Sequence, residues 1–476
     1  METPTNNSVL STRRAWIVVA MLIALMMINF MDKAVMGLAA KSIITDFGLT
    51  DDEYGLVSSI FFALFFLTAL LGGFLSNRVS SRWLLFGMAI VWAVAQLSVV
   101  FAGGLFVLVL SRMLLGASEG PTFPIANHAS YKWLRESDRS LASSLISGGA
   151  SFGVLLGAPV LTMLIVGYGW RSAFLASAMV TVAWSIVWLF VGREGPGTER
   201  VQAESVEQVA AVAVEGLRTS YLRTFLSGTF LASALSGFAV YWSAALWLAY
   251  GPLYLEDILD LSLPQIATFL SIREVFACLF VYVGLGFVVR RLIAKGVSTR
   301  IARGILGGAC VLISGLATLG FVLLPGGELK LVINVISALG FVTFAISQTV
   351  CAEISPVRQR GGVLGAYAAI YALAGVVAPI VTGRLSAALG PVEGLKASWL
   401  LMAGLLMASG IAAILFVRPA RDGRMLAEHA RRRGGDIQRP GASKPNSGPS
   451  GERVGAENSV TPGGVTSPIA GTVGGQ

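Results

Sequence analysis

Apolar stretches of about 20 residues recur along the first 417 positions of this chain, and each is long enough to cross a bilayer core. Twelve can be counted: 15–38, 54–75, 83–102, 104–127, 140–166 and 170–192, then 222–254, 264–289, 301–324, 327–352, 362–389 and 394–417. A segment in lipid must satisfy its own backbone polar groups, and among single segments only the α-helix does so. The chain is 55% hydrophobic and 13% charged, against about 25% charged for an average soluble protein. The expectation is an all-α membrane protein with twelve transmembrane helices. The first apolar run is too long for a signal-peptide core and reads as a span. Cys278, Cys310 and Cys351 fall inside spans, so no disulfide framework is expected.

A net charge of +9 invites a nucleic-acid reading, but the distribution argues against it. With both termini on one side, 27 of the 35 Lys and Arg residues fall on that side. Only Lys41, Arg171, Lys330 and Lys396 fall opposite, and Lys33, Arg112, Arg273 and Arg384 lie inside spans. This is the positive-inside pattern, which places both termini in the cytoplasm. The expected location is the inner or plasma membrane.

The spans divide six and six. Residues 1–14 form a cytoplasmic N-terminus, 15–192 an N-terminal six-helix bundle and 193–221 an acidic cytoplasmic linker. Residues 222–417 form a C-terminal six-helix bundle and 418–476 a cytoplasmic tail. Within the tail, 434–476 is rich in Gly, Pro and Ser and is expected to be disordered. An internal echo links the halves. Gly73 is followed five residues on by Arg78 and then by Arg82, as Gly286 is by Arg291 and Lys295. Two related halves of six spans suit a secondary transporter with a midplane site between them.

Ionisable residues inside spans are expensive and mark function. Asp32 and Lys33 lie in span 1, Arg112 and Glu119 in span 4. Counting residues at about 1.5 Å each puts Asp32 and Arg112 roughly 10 Å below the outer surface. The expected arrangement is an Asp32–Arg112 ion pair with Lys33 beside it. Glu119, seven residues after Arg112, should lie deeper on the same face. Burial and a nearby cation act in opposite senses on a carboxylate's hold on its proton. Glu119 and Asp32 are therefore the proton-coupling candidates, with Lys33 and Arg112 left to meet an anion. The plain alternative is that the four charges only hold spans 1 and 4 together.

Other positions are weaker. Pro121 and Pro124 end or kink span 4. Gly149, Gly153 and Gly157 in span 5 suit close helix packing. Trp247, Tyr250 and Tyr254 share a face of span 7, lining a cavity or, for Tyr254, sitting in an interfacial belt. Arg273, next to Glu274 in span 8, is either a second anion anchor or half of a structural pair. Asn29, Gln348, Tyr367 and Tyr371 are further polar groups within spans.

At these residues the chain resembles the major facilitator superfamily, in particular its anion–cation symporter branch. Asn29-Phe30-Met31-Asp32-Lys33 resembles the branch's Asn-Tyr-x-Asp-Arg. Arg112-xxx-Gly116-xx-Glu119-xxx-Phe123-Pro124 resembles its span 4 motif. Gly169-Trp170-Arg171-xx-Phe174 and Glu353–Gly361 resemble its motifs before span 6 and after span 10. The resemblance covers about 14–417. It implies the superfamily fold, proton coupling at Asp32 and Glu119, substrate contact at Lys33, and pairing of Arg112 with the acids. The chain departs from the pattern at Lys33, Phe30 and Phe65, where the branch has Arg, Tyr and Tyr. Lysine lacks the bidentate fork of arginine, and two hydroxyls are lost, which favours a poorly hydroxylated substrate. The loop aspartates of the family are replaced by Asn77 and Arg290.

The resulting expectation is a proton-coupled symporter importing a small organic carboxylate by alternating access. It works as a monomer, with no cofactor and no nucleic-acid partner. The alternatives are proton-driven efflux and a non-transporting membrane sensor. No metal-ligand cluster or nucleophile–base pair suggests an enzyme, and the only histidines are His128 and His429.

Overall fold

Helix is the only regular structure among the described residues, which in the computed structural model are 6–75, 79–101, 104–134, 136–195, 220–356 and 359–437. In chain order the first eight helices are α1 (Asn6–Leu38), α2 (Ala40–Phe47), α3 (Asp51–Leu75), α4 (Ser81–Val100), α5 (Leu105–Glu119), α6 (Thr122–Tyr131), α7 (Glu136–Tyr168) and α8 (Trp170–Val191). After the linker come α9 (Tyr221–Phe225), α10 (Gly228–Leu259), α11 (Leu263–Ala294), α12 (Arg300–Leu323), α13 (Gly327–Glu353), α14 (Arg360–Leu389), α15 (Pro391–Phe416) and α16 (Pro419–Ile437). Most of the expected linker (196–219), the loop residues Asn77 and Arg78, and the tail from 438 lie outside the described residues. The helix α16 runs through 434–437, which the composition had assigned to disorder.

Among the described residues, eleven helices are long and apolar enough to cross a membrane. The twelfth expected span, 104–127, is broken in two. α5 stops at Glu119 and α6 restarts at Thr122. Pro121 has no amide proton to continue the first ladder, and Pro124 sits in the opening turn of the second, where no such proton is needed. The break leaves Glu119 at the end of a helix rather than in the middle of one.

Glycines set two of the tightest helix contacts. Gly116 and Gly120 let α5 lie directly on the backbone of Phe61 and Phe65 in α3. Gly149, Gly153 and Gly157 do the same for α7 against α1, where a Cβ on Gly157 would come 2.6 Å from Met31 Cγ. Gly116→Ala should therefore lower the thermal-unfolding midpoint by the equivalent of about 1–3 kcal/mol, the usual cost of overpacking. Calorimetry or fluorescence scanning of the purified protein measures this.

A second pair of glycines makes turns that other residues resist. Gly169 (φ 83°, ψ 160°) joins α7 to α8, and Gly390 (φ 90°, ψ 158°) joins α14 to α15. The same one-residue turn thus recurs between the last two spans of each set of six. It is a repeat in geometry that the sequence echo at Gly73 and Gly286 only hinted at.

α1 packs on α10, α3 on α14, and α7 on α11. Their contacts gather on the side away from the chain ends, here called distal. Tyr54 Oη donates to Ala249 O at 2.9 Å, and Ser271 Oγ donates to Leu155 O at 3.0 Å. A Cβ on Gly55 would sit 2.7 Å from Pro379 O. On the terminal side, the ion pairs among the described residues stay within each set of six. Lys132 meets Glu194 at 2.8 Å and Arg303 meets Glu353 at 2.7 Å. The helices are therefore drawn together distally.

Candidate functional site

Asp32, Lys33, Arg112 and Glu119 are all buried, none more than 8% exposed. Their pairing differs from the one expected. Lys33 Nζ lies 3.2 Å from Glu119 Oε2 and donates to Asn29 Oδ1 one turn back. Asp32 makes no ion pair with Arg112. Its carboxyl faces Gln96 of α4 and Ser177 of α8, without a well-formed hydrogen bond to either. Arg112 Nη2 reaches Gln96 Oε1 at 3.5 Å, and its guanidinium lies 5.4 Å from the Phe174 ring centroid. Gln96 thus stands between the acid and the arginine.

The reason is azimuth. Adjacent residues on a helix point about 100° apart. Depth alone matched Asp32 to Arg112, but α1 presents Lys33 to α5 while turning Asp32 toward α4 and α8. The long lysine stem then reaches the carboxylate at the broken end of α5. Two rings flank its ammonium, Phe30 at 4.2 Å and Phe65 at 4.9 Å from their centroids. Phe30 and Phe65, which had been read as lost hydroxyls, form the sides of a cation–π slot.

Lys33 and Arg112 both line one narrow cavity of about 20 Å3, together with Ser58, Phe61, Phe62 and Leu248. The walls are mostly apolar. Two cations and one hydroxyl supply the polarity, and the space is that of about one water molecule.

The remaining candidates separate into groups. Tyr367 and Tyr371 stack edge-on at 5.2 Å, and Tyr371 continues to Tyr241 at 5.2 Å and then to Phe62 at 6.2 Å. That aromatic chain ties α14 and α10 to the cavity wall. Trp247 instead packs against Phe269, Phe321 and Trp399. Arg273 lies over it at 4.8 Å and within 5.5 Å of Phe341, with no carboxylate in ion-pair range. Tyr254 joins the same cluster against Phe321 and Trp399 and is 1% exposed, so it is core rather than interfacial belt. Tyr250 turns the other way, edge-on to Tyr54 at 5.2 Å, and belongs to the distal closure. Gln348 is exposed on α13, outside the buried cluster.

Several residues of the site went unread in the sequence. Gln96 had a signal, being a lone amide in an apolar run. Ser177, Ser58 and Tyr54 had none, since such residues are common in spans. On the terminal side, Glu194 accepts the Arg82 amide at 3.0 Å and the Lys132 ammonium at 2.8 Å. Partial burial pushes its carboxyl up, but those hydrogen bonds outweigh it, and Glu194 sits below the usual glutamate range.

On the distal side Lys41 Nζ lies 2.9 Å from Asp257 and 3.2 Å from Glu256. The hydrogen bond to Asp257 raises Lys41 above the ordinary lysine value. The pair joins α2 to α10 and is more than half exposed at the lysine, so it contributes about 0.5–1 kcal/mol to distal closure. Lys41→Ala should shift the balance toward distally open molecules about two- to fivefold. Distances between spin labels at Thr45 and Asp260 report it.

The sequence profile of the Major Facilitator Superfamily matches residues 22–349. The "Probable sulfoacetate transporter SauU" of Cupriavidus necator is 26% identical over 401 residues, 82% of this chain and 91% of that protein. The "Hexuronate transporter" of Bacillus subtilis is 25% identical over 404 residues, 82% of this chain and 92% of that protein. Among solved structures, a bacterial homolog of the human lysosomal transporter Spinster, inward-facing and unoccupied, superposes with a TM-score of 0.69 at 19% identity. That match covers 86% of this chain and 98% of the other. With a profile spanning most of its helices and a fold shared with solved transporters, the chain belongs to the Major Facilitator Superfamily, as a multi-pass membrane transporter and not an enzyme.

Proposed function

We propose that this protein is a proton-coupled symporter that imports a small, poorly hydroxylated organic anion by alternating access. The observation that carries the reading is the buried Lys33–Glu119 pair at a cavity that Arg112 also lines. A proton arriving on Glu119 neutralises the acid and frees Lys33 to bind a carboxylate or sulfonate. Loss of that anion on the other side lets Glu119 give up its proton and take Lys33 back. Neither partner stays unpaired in the low-dielectric interior, which is why the two events are linked. Asp32, facing Gln96 and Arg112, is the second proton-coupling acid in this reading.

The relatives' names supply the substrate class. Sulfoacetate carries no hydroxyl and a hexuronate carries several. The walls formed by Phe61, Phe62 and Leu248, with Ser58 as the one hydroxyl, suit the former type better. In this reading residues 15–192 rock against 222–417 in the cell membrane, as a monomer with cytoplasmic termini. Arg273 is held by aromatic rings and plays a lesser part.

Uptake of labelled sulfoacetate, simple carboxylates and a hexuronate into proteoliposomes tests it. Acid outside should raise uptake above the level without a gradient, with the unhydroxylated anions preferred. Accumulation driven only by the reversed gradient would indicate efflux, and dependence on sodium alone would remove the proton.

A further inference from the structure

We propose that the cleft between α9, the start of α10 and α16 binds the headgroup of an anionic phospholipid. The cleft has a volume of about 520 Å3 and is lined by Arg223, Arg418, Arg421 and His429, with Leu226 and Met425 among its apolar walls. It lies at the terminal ends of two spans. α9 leads into α10, and α16 leaves α15 across a single break at Val417 and Arg418. Arg421, Met425 and His429 follow one another at four-residue steps on one face of α16, and Arg418 immediately precedes the helix.

The acid in this cleft is already used. Asp422 is 5% exposed, and its Oδ2 accepts from Thr229 N at 2.9 Å and Thr229 Oγ1 at 2.7 Å. Those bonds dock α16 onto the start of α10. They fix the position of the one acid in the cleft, and among the described residues none of the three arginines forms an ion pair. Arg418 Nε donates only to Leu415 O, at 3.0 Å. The cleft therefore carries three guanidinium groups against one carboxylate, an excess of positive charge.

Beside the cations lies an apolar shelf. Leu222, Leu226 and Phe416 are 65%, 63% and 55% exposed, and Met425 is 41% exposed. A soluble anion makes no use of such a shelf. A lipid does, with its phosphodiester among the arginines and its acyl chains along Phe416 and Leu226. Basic pockets at the ends of spans are a recurrent form of headgroup site, and arginine suits phosphate oxygens through its planar fork. The occupant that fits both halves of the surface is an anionic phospholipid.

The test uses the purified full chain and native mass spectrometry with equimolar dioleoyl-phosphatidylglycerol and dioleoyl-phosphatidylcholine. The unsubstituted protein should retain phosphatidylglycerol at least about fivefold more often, and each lost arginine should reduce that preference by about fivefold. Arg421 is exposed, so Arg421→Gln leaves the fold intact and keeps the test valid if Arg418→Gln/Arg421→Gln does not fold. Arg424→Gln, which does not line the cleft, should keep the preference. Equal retention of the two lipids, or full preference in Arg421→Gln, overturns the proposal. A second arm adds inorganic phosphate and compares thermal stabilisation. If phosphate alone stabilises as well as the lipid and does so through the same arginines, the ligand is a soluble anion and the lipid assignment fails.

Discussion

Lys33→Ala is expected to weaken binding of the transported anion by at least about 30-fold, the equivalent of about 2 kcal/mol or more for truncating one partner of a buried charge pair. The substitution removes the cation held between Phe30 and Phe65 and leaves Glu119 without its 3.2 Å partner. It also strips the cavity of one of its two positive groups. Arg273→Ala should change affinity less than about threefold by comparison, because Arg273 packs over Trp247 and Phe341 rather than on the cavity. Isothermal titration or a thermal-shift series with the best anion from the uptake screen ranks the two. If Arg273→Ala loses more affinity than Lys33→Ala, the anchor belongs to the second set of six helices and the proposed site is wrong. Lys33→Arg separates charge from shape. It should retain binding, since the fork of arginine also meets carboxylates.

Glu119→Gln is expected to abolish uphill accumulation while leaving substrate exchange measurable. Glutamine has the shape of the protonated acid but cannot give up a proton. Lys33 would then stay available to the anion at every pH, and the link between proton and anion would be cut. The glutamine oxygen still accepts from Lys33, but neither it nor Asn29 supplies a counter-charge. A loss of stability of about 3 kcal/mol follows from breaking a buried pair on one side. Counterflow and gradient-driven uptake in the same proteoliposomes separate the outcomes. Persistent accumulation against a gradient would show that Glu119 does not couple the proton. Loss of exchange together with accumulation would point to collapse of the site instead, and an unfolding scan tells these apart.

Much of the architecture was open to a one-dimensional reading. Eleven of the twelve expected spans correspond to long apolar helices, because hydropathy over about 20 residues is nearly sufficient to define a span. The exception, 104–127, carried its own warning in Gly120-Pro121 and Pro124. The four charges were found by their cost in lipid, and all four are buried. Their partners were not found, because residue counting measures height along a helix and says nothing about rotation. The expected Asp32–Arg112 pair has the right height and the wrong azimuth. Trp247 and Tyr250, three residues apart and expected on one face, reach different clusters. One packs on Trp399 and the other on Tyr54. The amphipathic α16 was missed because its basic residues were read together with the Gly- and Pro-rich sequence behind them.

The sequence by itself determined that this chain crosses a membrane many times, that a group of four buried charges lies in spans 1 and 4, and which family its motifs resemble. These are properties of local composition and of the cost of charge in hydrocarbon. Only the tertiary structure decided that Lys33 is held by Glu119, that Gln96 separates Asp32 from Arg112, and that Lys41 and Tyr54 help close the distal side. Those choices depend on how glycine contacts such as Gly116 on Phe61 and Gly153 on Met27 set the rotation and approach of neighbouring helices. Packing of that kind is a property of pairs of helices, and no single stretch of sequence contains it.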